Sequence, residues 1–438
     1  MAMPQKEFTE EETRLRAEIE KEHGKTPEEL YEEREKRVRE TIALQQPDRV
    51  PVSMRMTYFP ARYAGIPMSA AYYDPHAWNA AIKRAVLELE PDMYQVSSGM
   101  ASGRVMEILD PTQTKWPGGP LPDNVSHQAI DVETMMPEEY DIFLEDPTDF
   151  ALRYMLPRSY GALEPLSTLP ALADRALGIA MITTLFTKPE FREMASKLLE
   201  AGLAQEEWMK QQSDREEELA ILGFPAHGTM GGAGGAPFDT ISDFYRGMKG
   251  AMMDMFRCPD KLIAACDRIL EGRIKRATPA DPNKRGNPKR LFLPLHRGAE
   301  SFMSKKQFEK FYWPGLKKAM LTSIELGYVP MPFCEGAYGD RLEYFLELPK
   351  GKVVAHFDLT DMFRAKEILK DHVCIMGNVP SSLLQIGSPS EVEEYCRKLI
   401  EVCGKGGGLI LTNGSSIDEA KPENIKAMID SAKKYQPK

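Results

Sequence analysis

The sequence predicts an α/β protein, a (β/α)8 barrel of the TIM type preceded by an N-terminal helical extension. Three observations carry this. Three apolar runs, residues 329–333, 353–355 and 373–376, each end in a polar cluster: Cys334-Glu335-Gly336, His356-Phe357-Asp358 and Gly377-Asn378. The segments between them, 340–348 and 361–369, space apolar residues three and four apart, the helical period. The same unit recurs upstream, where residues 291–295 end in His296-Arg297-Gly298 and Ser304-Lys305-Lys306-Gln307 starts a helix. Strand and helix alternating at this spacing read as parallel βα units. Polar groups at the C-terminal ends of parallel strands mark the active face of such a barrel.

Residues 1–45 are helix formers, and the capping box Thr26-Pro27-Glu28-Glu29 starts a helix running to about Leu44. This segment reads as a solvated extension, and residues 46–438 as the barrel. Gln46-Pro47-Asp48 stops the helix and leads into the first strand. A helix over 75–89 leads to a second strand at 92–96 and the small-residue loop Ser97-Ser98-Gly99. Residues 100–180, rich in proline, glycine and acids, form one excursion from the barrel, and 223–290 a second. A long amphipathic helix covers 188–221. The glycine-rich stretch 223–240 lacks GxGxxG and GxxxxGK[ST], so it predicts a mobile loop or lid rather than a phosphate cradle. Helices over 244–256 and 259–277 precede the run at 291. A helix over 391–403, the turn Gly404-Lys405-Gly406-Gly407-Gly408, a strand at 409–412 and a helix at 422–435 close the chain.

At 438 residues, with 42% apolar and 28% charged residues, the chain can bury a large core. A net charge of −10 without a compact basic patch argues against a nucleic-acid surface. The acidic N-terminus lacks an apolar signal segment, and no window reaches the roughly 18 apolar residues of a membrane span. Six cysteines without a CxxC fit reduced thiols in a cytoplasmic enzyme.

Glu335 follows an apolar run and precedes a glycine, which places its carboxylate at the barrel mouth. His356, directly after Val-Val-Ala, points into the same mouth, and neutral imidazole is a common metal ligand. Adjacent strands lie about 4.8 Å apart, so Glu335 and His356 can converge on one ion. His296, at the equivalent place after 291–295, or Cys334 is the third ligand. Cys334 and Glu335 alternate in direction, so both face the axis only if the strand bends. Asp358 is placed to orient a histidine, and His227, in the glycine-rich loop, to close over a substrate.

Pro47-Asp48-Arg49-Val50-Pro51-Val52, residues 308–314, Gly377-Asn378-Val379-Pro380 with Leu383-Leu384, residues 406–413 and Pro422-Glu423-Asn424-Ile425-Lys426-Ala427-Met428 resemble the uroporphyrinogen decarboxylase superfamily, from about residue 35 to the end. True decarboxylases of that superfamily carry an RQAGRY loop after the first strand. Here Met54-Arg55-Met56-Thr57-Tyr58-Phe59-Pro60-Ala61-Arg62-Tyr63 keeps two arginines and breaks the motif. Its zinc-dependent methyltransferases carry His-x-Cys after the sixth strand and another Cys after the last; the aligned positions here are Phe333, Glu335 and Gly414-Ser415-Ser416. Chain length and the segment Phe238-Asp239 to Arg246-Gly247 look more like methyltransferases that demethylate methoxylated aromatics or related donors.

The resemblance implies an enzyme moving a methyl group from a small O-, S- or N-methyl donor to a corrinoid protein, with zinc activating the donor. Glu335, His356 and His296 are the expected catalytic and metal-binding residues, and Arg55, Tyr58, Arg297, Asn378 and Asn413 the expected substrate contacts. The chain has no Asp-x-His-x-x-Gly corrinoid motif of its own, so the corrinoid belongs to a partner. Two alternatives stay open: a decarboxylase holding a porphyrinogen-like polycarboxylate on Arg55, Arg62 and Arg297, and a non-catalytic barrel that binds a corrinoid protein. No nucleic acid or membrane is expected as a partner, and self-association as a homodimer is left open.

Overall fold

Capping boxes open the first two helices: Thr9 with Glu12 for α1 (Glu10–His23), and Thr26 with Glu29 for α2 (Pro27–Ile42). The computed structural model describes residues 8–96, 101–171, 178–211, 214–229, 231–283, 285–286 and 289–437. The loop predicted at Ser97-Ser98-Gly99 lies outside them. Strand β1 (Ser53–Met56) pairs in parallel with β2 (Met93–Val96), and α3 (Pro75–Leu89) connects the two. Five further strands, β3 (Lys289–Leu295), β4 (Tyr328–Cys334), β5 (Val354–Phe357), β6 (Cys374–Val379) and β7 (Leu409–Asn413), form a second parallel sheet in sequence order. Isolated parallel bridges extend these sheets: Val52 to Leu411, Tyr94 to Ala226, and Thr229 to Leu291. The result is an α/β architecture of parallel strands with helices between them.

Alternation sorts the side chains of β3–β7 into two layers. Leu291, Leu293, Leu295, Ala355, Phe357, Ile375, Leu409 and Leu411 belong to the large apolar cluster shared with the surrounding helices. Val329, Met331, Val354, Cys374, Met376 and Ile410, of the opposite parity, form a separate cluster on the other, inner face. Val38 and Ile42 of α2 complete that inner cluster. Within the segment expected to be a solvated extension, α2 is therefore buried on one face, because it covers the inner face. Burying each of these two aliphatic side chains is worth about 1.5–3 kcal/mol.

Ionic contacts fix α2 in place. Glu35 forms a buried pair with Arg290, whose Nε donates to the His227 carbonyl at 2.8 Å. Arg37 reaches Asp48 at 2.6 Å and the fully buried Asp92 at 2.7 Å. Asp92 also accepts from Arg49 and from the Val52 amide.

The helix predicted over 188–221 is two, α4 (Pro189–Gln211) and α5 (Arg215–Ile221), with 212–213 outside the described residues. The helical segment predicted over 340–348 is a 3₁₀ helix, Gly339–Glu347. The glycine-rich stretch expected to be a mobile loop or lid packs inward at Ala233. Ala233 is buried with its amide on Ser323 Oγ at 3.0 Å. Gly232 has φ +60°, and a Cβ there would come within 2.6 Å of that oxygen.

Asp92→Ala leaves Arg37 and Arg49 facing a buried void, and is expected to lower the unfolding free energy by about 3–5 kcal/mol, read from chemical denaturation. Burial by itself raises the Asp92 pKa, but Arg49, Arg37 and the Val52 amide outweigh it and hold the carboxyl below its ordinary value. The contribution is therefore present above the unfolded value of about 3.9 and is lost as pH falls through the lower folded value. The stability gap between wild type and variant should narrow below that point. A gap that stays constant to the acid limit would refute the assignment.

Candidate active site

Towards the C-terminal strand ends the inner face changes from apolar to polar. Register fixes which residues meet. Phe333 of β4 stands opposite His356 of β5, and Leu295 of β3 opposite Cys334. Continuing each strand, Glu335 comes level with His296 and lies two residues beyond Phe333, about 6.6 Å further along the strand axis. His356 sits one layer deeper than either. Pro294 and Glu335 are exposed and Phe292 half-buried, so the inner face meets solvent on this side.

The deeper layer gathers Arg55, His227, Phe292, Phe333 and His356. Arg55 is 7% exposed, and its guanidinium lies 3.9 Å from the Phe333 ring centroid and 5.0 Å from that of Phe292. Cation–π contact of this kind is worth about 2 kcal/mol where water is excluded. Its Nε and Nη1 are buried without a hydrogen-bond partner. Burial lowers its pKa to about 10, against the opposing pull of Glu335 and Asp358, so it stays charged at neutral pH. His356 is fully buried, its ring centroid 4.7 Å from that of Phe333. Burial, followed by the charge on Arg55, lowers its pKa to about 3. Its Nε2 is 3.2 Å from the Asn413 carbonyl, and its Nδ1 has no partner. His227 lies beside it, ring centroids 6.4 Å apart, with Nδ1 2.9 Å from Ser53 Oγ and Nε2 unpartnered. Burial drives its pKa well below the ordinary histidine value. The layer thus holds one cation and two neutral imidazoles.

The upper layer is acidic and tightly bonded. His296 Nδ1 lies 2.6 Å from Asp243, and the Asp243 hydrogen bond, ahead of the opposing effect of burial, raises its pKa. Arg297 donates to Asp243 at 3.1 Å and to Ser242 at 2.9 Å. Both residues come from the loop after β3, and both backbone amides donate to Asp239 at 3.0 Å. Tyr312 also donates to Asp239, whose burial raises its pKa to about 6. Gly298 permits this close approach, since a Cβ there would meet the Tyr338 hydroxyl at 2.3 Å.

Among the described residues, no three His, Cys, Asp or Glu side chains are placed to hold a metal ion. The set expected of Glu335, His356 and His296 is not assembled, because register puts His356 a layer below the other two and Asp243 takes the His296 ring. Cys334 does not complete it. Its thiol is buried beneath the sheet's outer face, 3.8 Å from the Pro332 carbonyl. Asp358 accepts from the Gly336 amide at 3.1 Å and forms no bond to a histidine.

The expected substrate contacts divide. Arg55 lies in the pocket with nitrogens free. Asn378 and Asn413 act as fasteners instead. Asn378 donates to the Asp358 and Thr360 carbonyls and accepts from Tyr395, while Asn413 brackets Arg55 by bonding both its amide and its carbonyl. Tyr58 is buried against the Tyr72 hydroxyl at 2.9 Å and His127 at 3.0 Å. Arg297 is held by Asp243 and Ser242. Phe292, Phe333 and Gln95 carried no chemical signal in the sequence. They resemble ordinary core or strand residues until register places them.

Residues 224–435 match the sequence profile of uroporphyrinogen decarboxylase (URO-D). The fold is similar to that of a methyltransferase from Methanosarcina mazei, with a TM-score of 0.53 at 15% identity, covering 92% of this chain and 98% of that one. No curated protein matches the sequence. The match contains β3–β7 and His227, and so most of the pocket.

Proposed function

We propose that this protein is a methyltransferase that moves a methyl group from a small methylated donor, an aryl methyl ether or a related O-, S- or N-methyl compound, to a corrinoid carried by a partner protein. The observation that carries this reading is the deeper layer of the pocket: a single buried cation and two neutral imidazoles against aromatic walls. A polycarboxylate to be decarboxylated needs several cations. Of the three arginines available for that, Arg62 pairs at the surface with Glu419 at 3.4 Å and Arg297 is bonded to Asp243, which leaves Arg55 alone. The URO-D match and the likeness to a methyltransferase fold agree with this reading. The three parallel bridges, which link β7 to β1, β2 to residue 226 and residue 229 to β3, support a closed (β/α)8 barrel with the pocket at its mouth. A cytoplasmic location accords with the absence, among the described residues, of any helix long and apolar enough to cross a membrane.

Methyl transfer from an ether or thioether to a low-valent corrinoid leaves an electron pair, and negative charge, on the donor heteroatom. Arg55 supplies a fixed positive charge in a water-poor setting, where it favours both an anionic donor and the anion formed as the methyl departs. Phe292 and Phe333 exclude water and hold the guanidinium in place. Glu335, His356 and His296 stand apart, so these three side chains do not fit a single zinc ion.

Purified protein with reduced cobalamin and a panel of methyl donors should form methylcobalamin, followed by absorbance, and should not convert uroporphyrinogen to coproporphyrinogen. Coproporphyrinogen formation with no methylcobalamin from any donor would overturn the reading. Glu335→Gln, at the exposed mouth, should lower transfer less than ten-fold. His356→Ala, which removes a group from the deeper layer, should lower it at least a hundred-fold while thermal unfolding stays within a few degrees. Equal effects of the two substitutions would contradict the layered site.

A further inference from the structure

The helix Pro259–Arg276 buries Leu262, Ala265, Cys266 and Leu270, and its C-terminal half carries Arg268, Arg273, Lys275 and Arg276. With the segment 143–148 and Tyr245 it bounds a cleft of about 430 Å³, lined by all four cations. Helical spacing explains the gathering. Arg268, Gly272 and Arg276 lie four apart on one face, and Gly272 leaves open space between the two arginines. Asp146 is the one acid among the described lining residues, and its carboxylate already accepts from the Thr148 and Asp149 amides at 2.9 and 3.1 Å. Asp267 and Glu271 of the same helix do not line the cleft. Arg273 spends its guanidinium on neutral oxygens, the Gly235 carbonyl at 3.2 Å and Thr240 Oγ1 at 2.5 Å. Among the described residues no ion pair reaches any of the four cations. Burial lowers the Arg273 pKa, and the charge of Arg276 pushes it the same way, as like charges sharing a cleft do. Four cations against one occupied carboxylate stand out in a chain whose net charge is −10.

We infer that this cleft is a second binding site, which takes a small phosphorylated molecule with its phosphate oxygens on Arg268, Arg273, Lys275 and Arg276. Each guanidinium offers a planar fork of donors, and the Lys275 ammonium adds a compact charge. A carboxylate has two oxygens in one plane and suits one such fork. A phosphate ester spreads three outer oxygens tetrahedrally and carries about −1.5 to −2 at neutral pH, so it can serve several guanidiniums at once. Its charge also relieves the repulsion among the cations. The half-buried Tyr245, whose ring packs edge-on against Phe143 at 5.3 Å, gives the rest of the molecule an apolar wall. The cleft has the volume of a small-molecule site. An extended polyanion is opposed by the negative charge of the whole chain. None of the lining residues belongs to the polar layers of the inner face. Thr240 alone stands close to them in sequence, on the helix Pro237–Phe244 that also carries Asp239 and Asp243.

Calorimetric titration of the full chain with inorganic pyrophosphate, inorganic phosphate and citrate, at about 0.15 M salt to screen diffuse attraction, tests this. Pyrophosphate should bind once per chain, about ten-fold or more tightly than phosphate, because two phosphoryl groups meet more of the four cations. Citrate, with three planar carboxylates, should bind more weakly than pyrophosphate, and the reverse order would overturn the phosphate class. Arg268→Gln combined with Arg276→Gln should weaken pyrophosphate binding about ten-fold or more. Thermal unfolding should not move, since both side chains are exposed. Gly272→Glu places a carboxylate between the two arginines, and its Cβ would stand 3.4 Å from the Arg276 guanidinium, an ordinary contact. This variant should lose pyrophosphate binding while unfolding at or above the wild-type temperature, because glycine is a poor helix former. A folding defect cannot produce that pair of results. Lys405→Gln, which removes an exposed cation elsewhere, should bind as wild type does. No saturable pyrophosphate binding, several equivalents per chain, or equal weakening by Lys405→Gln and the arginine pair would overturn the inference. Unchanged binding by Gly272→Glu would also overturn it.

Discussion

The parallel register of β4 against β5 is the constraint on which the rest of the pocket depends. With Phe333 opposite His356, both side chains fall on the inner face, and every second residue above and below follows. The inner face is apolar at Val329, Met331, Val354 and Cys374, where α2 covers it, and polar above. A slip of one residue would turn His356 into the layer of Leu295 and Phe357 and bring Cys334 inward. Such a slip is opposed at both ends. The lower inner residues and α2 form one cluster, while above, Asn378 and Asn413 tie the strand ends to neighbouring backbone.

Much of the fold was legible in the sequence because its signals are local. Capping boxes at Thr26 and Ser304, the apolar runs of β3 to β7 and the terminal helix all rest on residues a few positions apart, and each forms where the pattern places it. What stayed hidden depends on distant parts of the chain. Nothing within residues 27–42 announces that Glu35 pairs with Arg290, so a helix rich in charge reads as solvated when one face is buried. The stretch Phe224-Pro225-Ala226-His227-Gly228-Thr229 lies between β2 and β3, yet its proline and glycine break the apolar run that marks a strand. That concealed His227, which reads as part of a mobile loop.

The candidate site was legible one residue at a time but not as a set. His356 and Glu335 do close adjacent strands, and their separation in sequence suits neighbouring units. Convergence on one ion requires the same level, however, and level is set by register, which periodicity alone does not reveal. Asn378 and Asn413 illustrate a related limit. An asparagine at a strand end is equally suited to a ligand or to a loop carbonyl, and only the observed bonds separate the two.

Arg55 is where the local rules and the whole structure disagree. Between Met54 and Met56, in a strand whose four residues are all buried, an arginine raises the cost of folding. Phe333 and Phe292 recover part of that cost through contact with the guanidinium, and Asn413 fixes the backbone on either side, but two donor nitrogens remain without acceptors. A sequence under pressure for stability alone would place an aliphatic residue here, as it does at Val52, Met54 and Met56. Departures of this kind concentrate at functional sites, where the missing interaction is supplied by what binds. The two flanking imidazoles follow the same logic. Each is held neutral by burial and anchored through one nitrogen, with the other left free. A layer of partly satisfied polar groups over a fully satisfied apolar one is stable only because the lower layer and α2 hold the strands in place. The rigidity beneath and the unmet valences above are two consequences of one strand register.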